Sequence, residues 1–276
     1  MGMRINTNIP SLAGQRALNQ ATEEKTEALG KLSSGERITK AADDASGLAI
    51  SEKLKAGIRS SMQATRNAND GISMVQVAEG GLSESSNILI RMRELAIQAS
   101  NDTYTNVERQ MLGKEFTQLK AEINRISASV QYNGQKLLDG QGPNLDFHVG
   151  TQASSSDKIS YRSSQIGSNT SSLGISSIDV NSKHEAQRSL SKLDEAINKL
   201  SSHKSVLGSI QNRLTSSANN LEINTNSLST SNSRIRDADF AQESANNAKA
   251  SIVENASSTV LAQANTTHSN ALKVLN

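Results

Sequence analysis

The chain has 276 residues, with 29 basic and 27 acidic side chains, a formal net charge of +2, no Cys and 2 % aromatic residues. So even a balance gives no basic patch for nucleic acid, and the missing Cys excludes disulfides and thiolate metal sites. Trp is absent and Phe and Tyr number three each, so the apolar material is mostly Ala, Leu, Ile and Val, which suits thin helical bundles.

From the start of the chain, Ile5, Ile9, Leu12, Ala13, Ala17, Ala21, Ala28 and Leu32 form a helical stripe. Gly35 reads as the turn after it. Residues 1–12 hold no apolar core of signal-peptide length, and no stretch reaches the roughly 18 apolar residues that a membrane helix needs. Export by another route and no membrane insertion are therefore expected. Asp43 and Asp44 precede a helical run from Ala45 to Leu54. A paired-carboxylate site is the weaker reading of these acids, and helix capping the stronger, because a carboxylate accepts backbone N–H groups and suits the positive end of the helix dipole.

Ala68, Gly71, Val75, Ala78, Leu82, Ser85, Leu89, Met92, Ala96 and Ala99 alternate steps of three and four and predict a long helix. Gly80 and Gly81 lie inside that pattern, which is no context for a phosphate loop. The helix should stop at Asn101-Asp102-Thr103, where side chains compete for backbone hydrogen bonds. Leu112, Phe116, Leu119, Ile123, Ile126 and Val130 then mark an antiparallel return helix. Asn133-Gly134, Gly140, Gly142 and Pro143 break the pattern. Between Leu145 and Ser182 alternating pieces such as Leu145 to Val149 and Lys158 to Tyr161 predict short strands, with the Ser-rich remainder read as exposed loop.

Leu193, Leu200, Leu207, Leu214, Leu221, Leu228 and Ile235 recur every seven residues, a heptad seam. The companion positions turn polar or small beyond Ile197, so a helix from about His184 to Leu221 is expected to bend or end in the polar stretch after it. At the C-terminus Ala241, Ala245, Ala248, Ile252, Ala256 and Val260 follow helical spacing, continued by Leu261, Ala264, Ala271, Leu272 and Leu275. Neither terminal stripe is apolar enough to hold a lone helix, so the two ends should need each other and neighbouring copies.

Chemistry-bearing patterns are missing. His148, His184, His203 and His268 are scattered with no i,i+4 pair, and no Gly-x-Ser-x-Gly elbow supports a nucleophile. No enzyme activity, metal or cofactor is expected.

Specific blocks flank this architecture: Ile5-Asn-Thr-Asn8, Leu32-Ser-Ser-Gly-Glu-Arg-Ile38, Ala41-Ala-Asp-Asp-Ala-Ser-Gly-Leu-Ala-Ile-Ser51, Asn69-Asp-Gly-Ile-Ser73 and Arg91-Met-Arg-Glu-Leu-Ala-Ile-Gln98. Glu122-Ile-Asn-Arg-Ile126, Asn133-Gly-Gln-Lys-Leu-Leu138, Gly208-Ser-Ile-Gln-Asn-Arg-Leu214, Ser233-Arg-Ile-Arg-Asp-Ala-Asp239 and Ala262-Gln-Ala-Asn265 continue them. In this order they make the chain resemble the bacterial flagellins over roughly residues 1–140 and 184–276. Thr266 to Asn270 departs from the Gln-rich, Pro-containing segment common in that family.

The resemblance implies a short flagellin of mainly α fold: a long antiparallel helical coiled-coil bundle with a small β-hairpin region and the two termini paired as helices. A discontinuous inner-core domain would span 1–42 and 226–276. A helical rod domain would span 43–225, with a β region at about 140–182. Inner-core assembly would fall to Ile5, Ile9, Leu12, Leu32, Ala245, Ala248, Ile252, Val260, Leu272 and Leu275. The rod seam would be Leu82, Leu89, Met92, Leu193, Leu200, Leu207, Leu214 and Leu221.

By the same resemblance the chain would be secreted through the flagellar type III route and polymerise into the extracellular filament. Its partners would be further copies, the export chaperone, and the cap and hook-junction proteins. Arg91, Leu95 and Glu115 match positions where some flagellins are read by Toll-like receptor 5; subunit packing is the first role expected for them. A hook–filament junction protein shares such ends, and a coiled-coil signalling hairpin shares the long heptads; these are the competing readings.

Overall fold

The computed structural model describes the backbone of residues 7–275 and the side chains through residue 267. Helices dominate: α1 (Ile9–Ser34), α2 (Ala45–Ala99), α3 (Asn106–Ser129), a one-turn α4 (Thr170–Leu173), α5 (Lys183–Arg236) and α6 (Phe240–Leu275). Two antiparallel hairpins complete the fold, β1 (Gln131–Tyr132) with β2 (Gln135–Lys136), and β3 (Asn144–His148) with β4 (Lys158–Arg162). The chain forms two compact units, one of residues up to Ile58 with those from Ser227 onward, the other Arg59–Asn226. Helices α2 and α5 contribute to both.

Local chemistry sets the helix ends. Asn8 caps α1 by accepting the Ser11 N–H at 3.1 Å, and Gly35, at φ 70°, closes it in the left-handed region that glycine enters without a Cβ clash. The acidic pair divides its work. Asp44 Oδ1 accepts the Gly47 N–H at 2.8 Å and caps α2, while Asp43 Oδ2 accepts the N–H groups of Thr39 and Lys40, each at 2.9 Å. Those backbone bonds hold the Asp43 carboxyl below the ordinary carboxylate range. Thr105 and Glu108 form a reciprocal capping box at the start of α3.

In the Arg59–Asn226 unit, α2, α3 and α5 enclose a dry core. Leu82, Leu89, Met92 and Phe116 are fully buried, as are Leu193, Leu207 and Leu214, with Leu200 and Leu221 close behind. Gly81 shows why the middle of α2 carries glycine: an added Cβ would lie 2.7 Å from Val130 Cγ2 and 2.8 Å from Leu138 Cδ1. Arg109, 7 % exposed, closes the α2–α3 turn. Its guanidinium donates to the carbonyls of Ala99 (2.8 Å) and Asn101 (2.9 Å), and to Asn106 Oδ1 (3.0 Å). A cation thus satisfies the last carbonyl of α2, at the negative end of that helix, and ties it to the turn that follows.

The expected strands form with the register Leu145↔Tyr161 and Phe147↔Ile159, and Tyr161 donates its buried hydroxyl to Leu137 O at 2.6 Å. Two expectations need correction. The segment after β4 is a strap with one buried side and not a loop exposed throughout: Ile166, Leu173, Ile175, Ile178 and Val180 enter the core with Ser163 and Ser168 buried beside them, while Ser171, Ser172, Ser176 and Ser177 are exposed as expected. Helix α3 holds this strap. Asn124 Oδ1 accepts both the N–H and the hydroxyl of Thr170 at 3.0 Å, and Lys120 Nζ donates to Ser176 O and Ile178 O.

Helix α5 also runs on to Arg236, well past Leu221. Its polar last turns stay helical because they pack on the start of α2. Leu228 lies against Gly57, where an added Cβ would be 3.4 Å from Leu228 Cδ1, and the Ser51 hydroxyl donates to Asn232 Oδ1 at 2.8 Å.

Candidate assembly surface

Helices α1 and α6 lie antiparallel, and the faces they share are made of small residues. On α1 the row is Ser11, Gly14, Leu18, Ala21, Lys25 and Ala28, with Gly14, Ala21 and Ala28 buried. On α6 it is Asn247, Ala250, Glu254, Ser257, Leu261 and Ala264, with Ala250 and Ser257 buried. Both rows alternate steps of three and four, the spacing of a coiled-coil seam. An ideal Cβ on Gly14 would come 3.6 Å from the Leu261 backbone, so the helices approach closely there.

Polar contacts fix the register. Lys25 Nζ meets Glu254 Oε2 at 2.8 Å across the seam, Asn8 Nδ2 donates to Ala264 O at 3.1 Å, and the Ser11 hydroxyl donates to Asn265 Oδ1 at 2.8 Å. Apolar burial is slight. A buried methyl is worth on the order of 1 kcal/mol, against about 2 kcal/mol for a buried Leu side chain, while each ordered residue costs about 1–2 kcal/mol of backbone entropy.

The opposite faces stay uncovered. Ile252 is 69 % exposed, Val260 57 %, Ile9 54 % and Leu12 49 %. Ala241, Ala245, Ala248 and Ala256 of α6 are exposed along the same side, as are Ala13 and Ala17 of α1. Helix α6 therefore carries two stripes about half a turn apart, a small-residue and partly polar one closed by α1 and an apolar one that is open. Of the C-terminal stripe found in the sequence, Ala241, Ala245, Ala248, Ile252, Ala256 and Val260 lie on the open face, whereas Leu261 and Ala264 lie on the seam with α1. The N-terminal stripe is shared between faces: Ala21, Ala28 and the half-buried Leu32 lie on the α6 side, and the four residues before them do not. The position of Ile5 and the side chains of Leu272 and Leu275 lie outside the described residues.

Arg91 and Glu115 meet on the surface of the other unit, Nη2 to Oε1 at 2.9 Å, and Arg91 also reaches Glu94 at 3.0 Å. Leu95 is different. It is 1 % exposed and belongs to the core of that unit, so the face offered to any partner there holds Arg91 and Glu115 without it. Leu95 lies outside the α2 stripe read from the sequence and widens the buried face that Met92 and Ala96 define.

The two termini pair as helices, as expected, but the faces that form the seam and the Lys25–Glu254 pair were not read from the sequence. The alternation Gly14, Ala21, Ala28 was visible there, but so many alanines surround it that spacing alone could not choose a face.

A groove of about 820 Å³ between β4 and α5 is lined by Ile159, Ser205, Ser209, Asn212 and Arg213, among others. Hydroxyls, an amide and a lone guanidinium offer no acid–base pair. Among the described residues no group of three His, Cys, Asp or Glu is placed to hold a metal ion, and no helix is long and apolar enough to cross a membrane.

Comparison with known proteins agrees with this geometry. Residues 5–142 match the family model for the bacterial flagellin N-terminal helical region, and residues 190–275 that for the C-terminal helical region. A flagellin of Halalkalibacterium halodurans is 40 % identical over 263 residues, spanning 95 % of this chain and 96 % of that one. The flagellar filament core protein flaB2 of Brachyspira hyodysenteriae is 38 % identical over 289 residues, 99 % of this chain and 100 % of the relative. Among solved structures, the Bacillus cereus flagellin superposes with a TM-score of 0.50 at 31 % identity, covering 56 % of this chain and 88 % of that one. With both terminal regions matched and relatives aligned nearly end to end, the chain belongs to the bacterial flagellin family.

Proposed function

We propose that this chain is the structural subunit that polymerises into the bacterial flagellar filament, outside the cell, for swimming motility. It is a building block and not a catalyst. The observation that carries the mechanism is the open stripe on α6, because an apolar face that the helix's one partner in its own chain does not cover is left for another copy. Ile9 and Leu12 of α1, with Ala245, Ala248, Ile252 and Val260 of α6, are the inner-core contacts, and Leu32 closes the pair from within. Ile5, Leu272 and Leu275 join this set on the family resemblance alone. Residues 1–42 and 226–276 act as the inner-core domain, and 43–225 as the rod.

Contacts between copies are head to tail, so they repeat without closing and a filament results. The heptad residues Leu193, Leu200, Leu207, Leu214 and Leu221, with Leu82, Leu89 and Met92, keep the rod rigid while this happens. Similarity to flagellins over nearly the whole length favours this reading over a hook–filament junction protein. The export chaperone would hold α6 before assembly, and the cap and hook-junction proteins would meet the growing and basal ends. Arg91 and Glu115 serve subunit packing first, and recognition by Toll-like receptor 5 is a second use of the free subunit.

Removing Ser244–Asn276 tests the reading. Seeded polymerisation followed by electron microscopy should give no filaments, while circular dichroism shows the rod still helical. Filaments of ordinary length from the truncated chain would refute it.

A further inference from the structure

We infer that Arg236 is a positioning residue, pinning together the two connections from which α1 and α6 emerge. At this point the chain crosses itself with little apolar material. Ile38 is buried, but the α1–α2 connection and the α5–α6 connection are otherwise laced by polar contacts. Arg37 N–H donates to Arg236 O at 2.6 Å, Ala238 N–H donates to Gly35 O at 2.9 Å, and Glu36 and Asp237 form an isolated antiparallel bridge. Arg37 Nη2 adds a bond to Ile235 O at 2.6 Å.

Arg236, in the last turn of α5, spans three segments at once. Its Nη2 meets Glu36 Oε2 at 2.9 Å in the first connection, and its Nη1 meets Glu52 Oε1 at 2.7 Å on the first turns of α2. Nη1 also lies 3.4 Å from the Ser51 hydroxyl, which itself holds Asn232 of α5. The Arg236 side chain is only 14 % exposed, although both carboxylates reach solvent. A planar guanidinium can engage two carboxylates in different directions from one fixed rotamer, whereas a lysine ammonium is a point charge on a flexible stem. The cation also sits at the negative end of the α5 dipole.

The chemistry therefore requires arginine and not merely positive charge. Without the fork, the strand-like bridge between residues 35–37 and 236–238 loses the side chain that aligns it, and the α1–α6 pair loses its fixed starting point. The consequence for polymerisation rests on the filament reading above, but the pin itself is read out on the monomer.

Amide hydrogen exchange of the full-length monomer tests this for wild type, R236Q, R236K and the milder E36Q. In R236Q the Arg37 and Ala238 amides should exchange about tenfold faster, the loss expected when charge-assisted hydrogen bonds go. The α3 amides should be unchanged. R236K should resemble R236Q, and E36Q should fall between it and wild type. Raising salt should speed exchange at Arg37 and Ala238 in wild type and leave R236Q flat, because only wild type has ion pairs there to screen. Unchanged protection in R236Q, wild-type protection in R236K, or an equal loss of protection throughout α3 would each overturn the assignment. Seeded assembly of the same proteins is the separate arm: wild type that fails to polymerise would count against the filament reading and leave the pin standing.

Discussion

The two units solve the same problem, holding long helices side by side, with opposite materials. In the Arg59–Asn226 unit the seam is filled by large side chains: Leu82, Leu89, Leu193, Leu207, Leu214, Phe116 and Tyr161 are all fully buried. Between α1 and α6 the buried positions are Gly14, Ala21, Ala28, Ala250 and Ser257; Leu18, Leu32 and Leu261 are half-buried there, while Ile9, Leu12, Ile252 and Val260 are exposed on other faces. A dry core of Leu and Phe stabilises a unit by itself. A seam of methyls and hydroxyls gives little, and leaves the strongest apolar groups for contacts beyond the chain. On the filament reading proposed above, the rod is finished before assembly and the terminal pair is completed by it.

The sharpest way to break this contrast is to hollow the large core. Phe116→Ala should cost about 3–5 kcal/mol, seen as a lower denaturant midpoint for the cooperative loss of rod helicity. A shift well under that range would mean the rod is not held by its buried core. Ala21→Leu inverts the experiment by putting a large side chain into the small seam. Overpacking there should cost about 1–3 kcal/mol, confined to faster amide exchange along α1 and α6 with the Phe116 transition unmoved. If α1 exchange does not change, the two helices are not in the close contact described.

Removing the capping box by Thr105→Ala should cost about 1 kcal/mol. It should also let the Glu108 carboxyl return towards its ordinary range, since the Thr105 backbone N–H and hydroxyl hold it low. A carbon-detected NMR titration of Glu108 in both proteins checks this, and identical curves would count against the reciprocal cap.

The smallest effect is that of pH. Glu108, Asp102 beside Lys183, and Glu122 beside Arg125 all titrate below their ordinary values, as Asp43 does in the other unit. A carboxyl held low in the fold contributes stability that is complete above its unfolded value and disappears as pH falls through its folded value. Urea midpoints should be flat near neutrality, begin to decline as pH falls into the ordinary carboxylate range, and go on declining below it. Greater stability in acid would contradict those hydrogen bonds.

Much of the molecule was readable before any coordinates. The α2 stripe, the α3 stripe and the leucines of α5 all fall where spacing puts them, because a buried face repeats at the helical period and polar residues fill the rest. Strands β3 and β4 followed from alternation, and the role of Asp44 from its place before an apolar run. Arg236 was not legible, because its partners Glu36 and Glu52 lie far from it along the chain and nothing local marks their meeting.

By itself, then, the sequence determined which long segments are helical, where α1, α2 and α3 stop, and which face of each rod helix is apolar. Those properties depend on neighbours within a few turns. Tertiary structure decided which side of α6 meets α1, that residues 163–182 form a strap with one buried side, that α5 stays helical to Arg236, and that Leu95 turns inward. Each of these depends on what lies across a seam. Where alanine covers several sides of a helix, spacing cannot rank the faces, and only the closer approach allowed by Gly14 and the Lys25–Glu254 pair selects one.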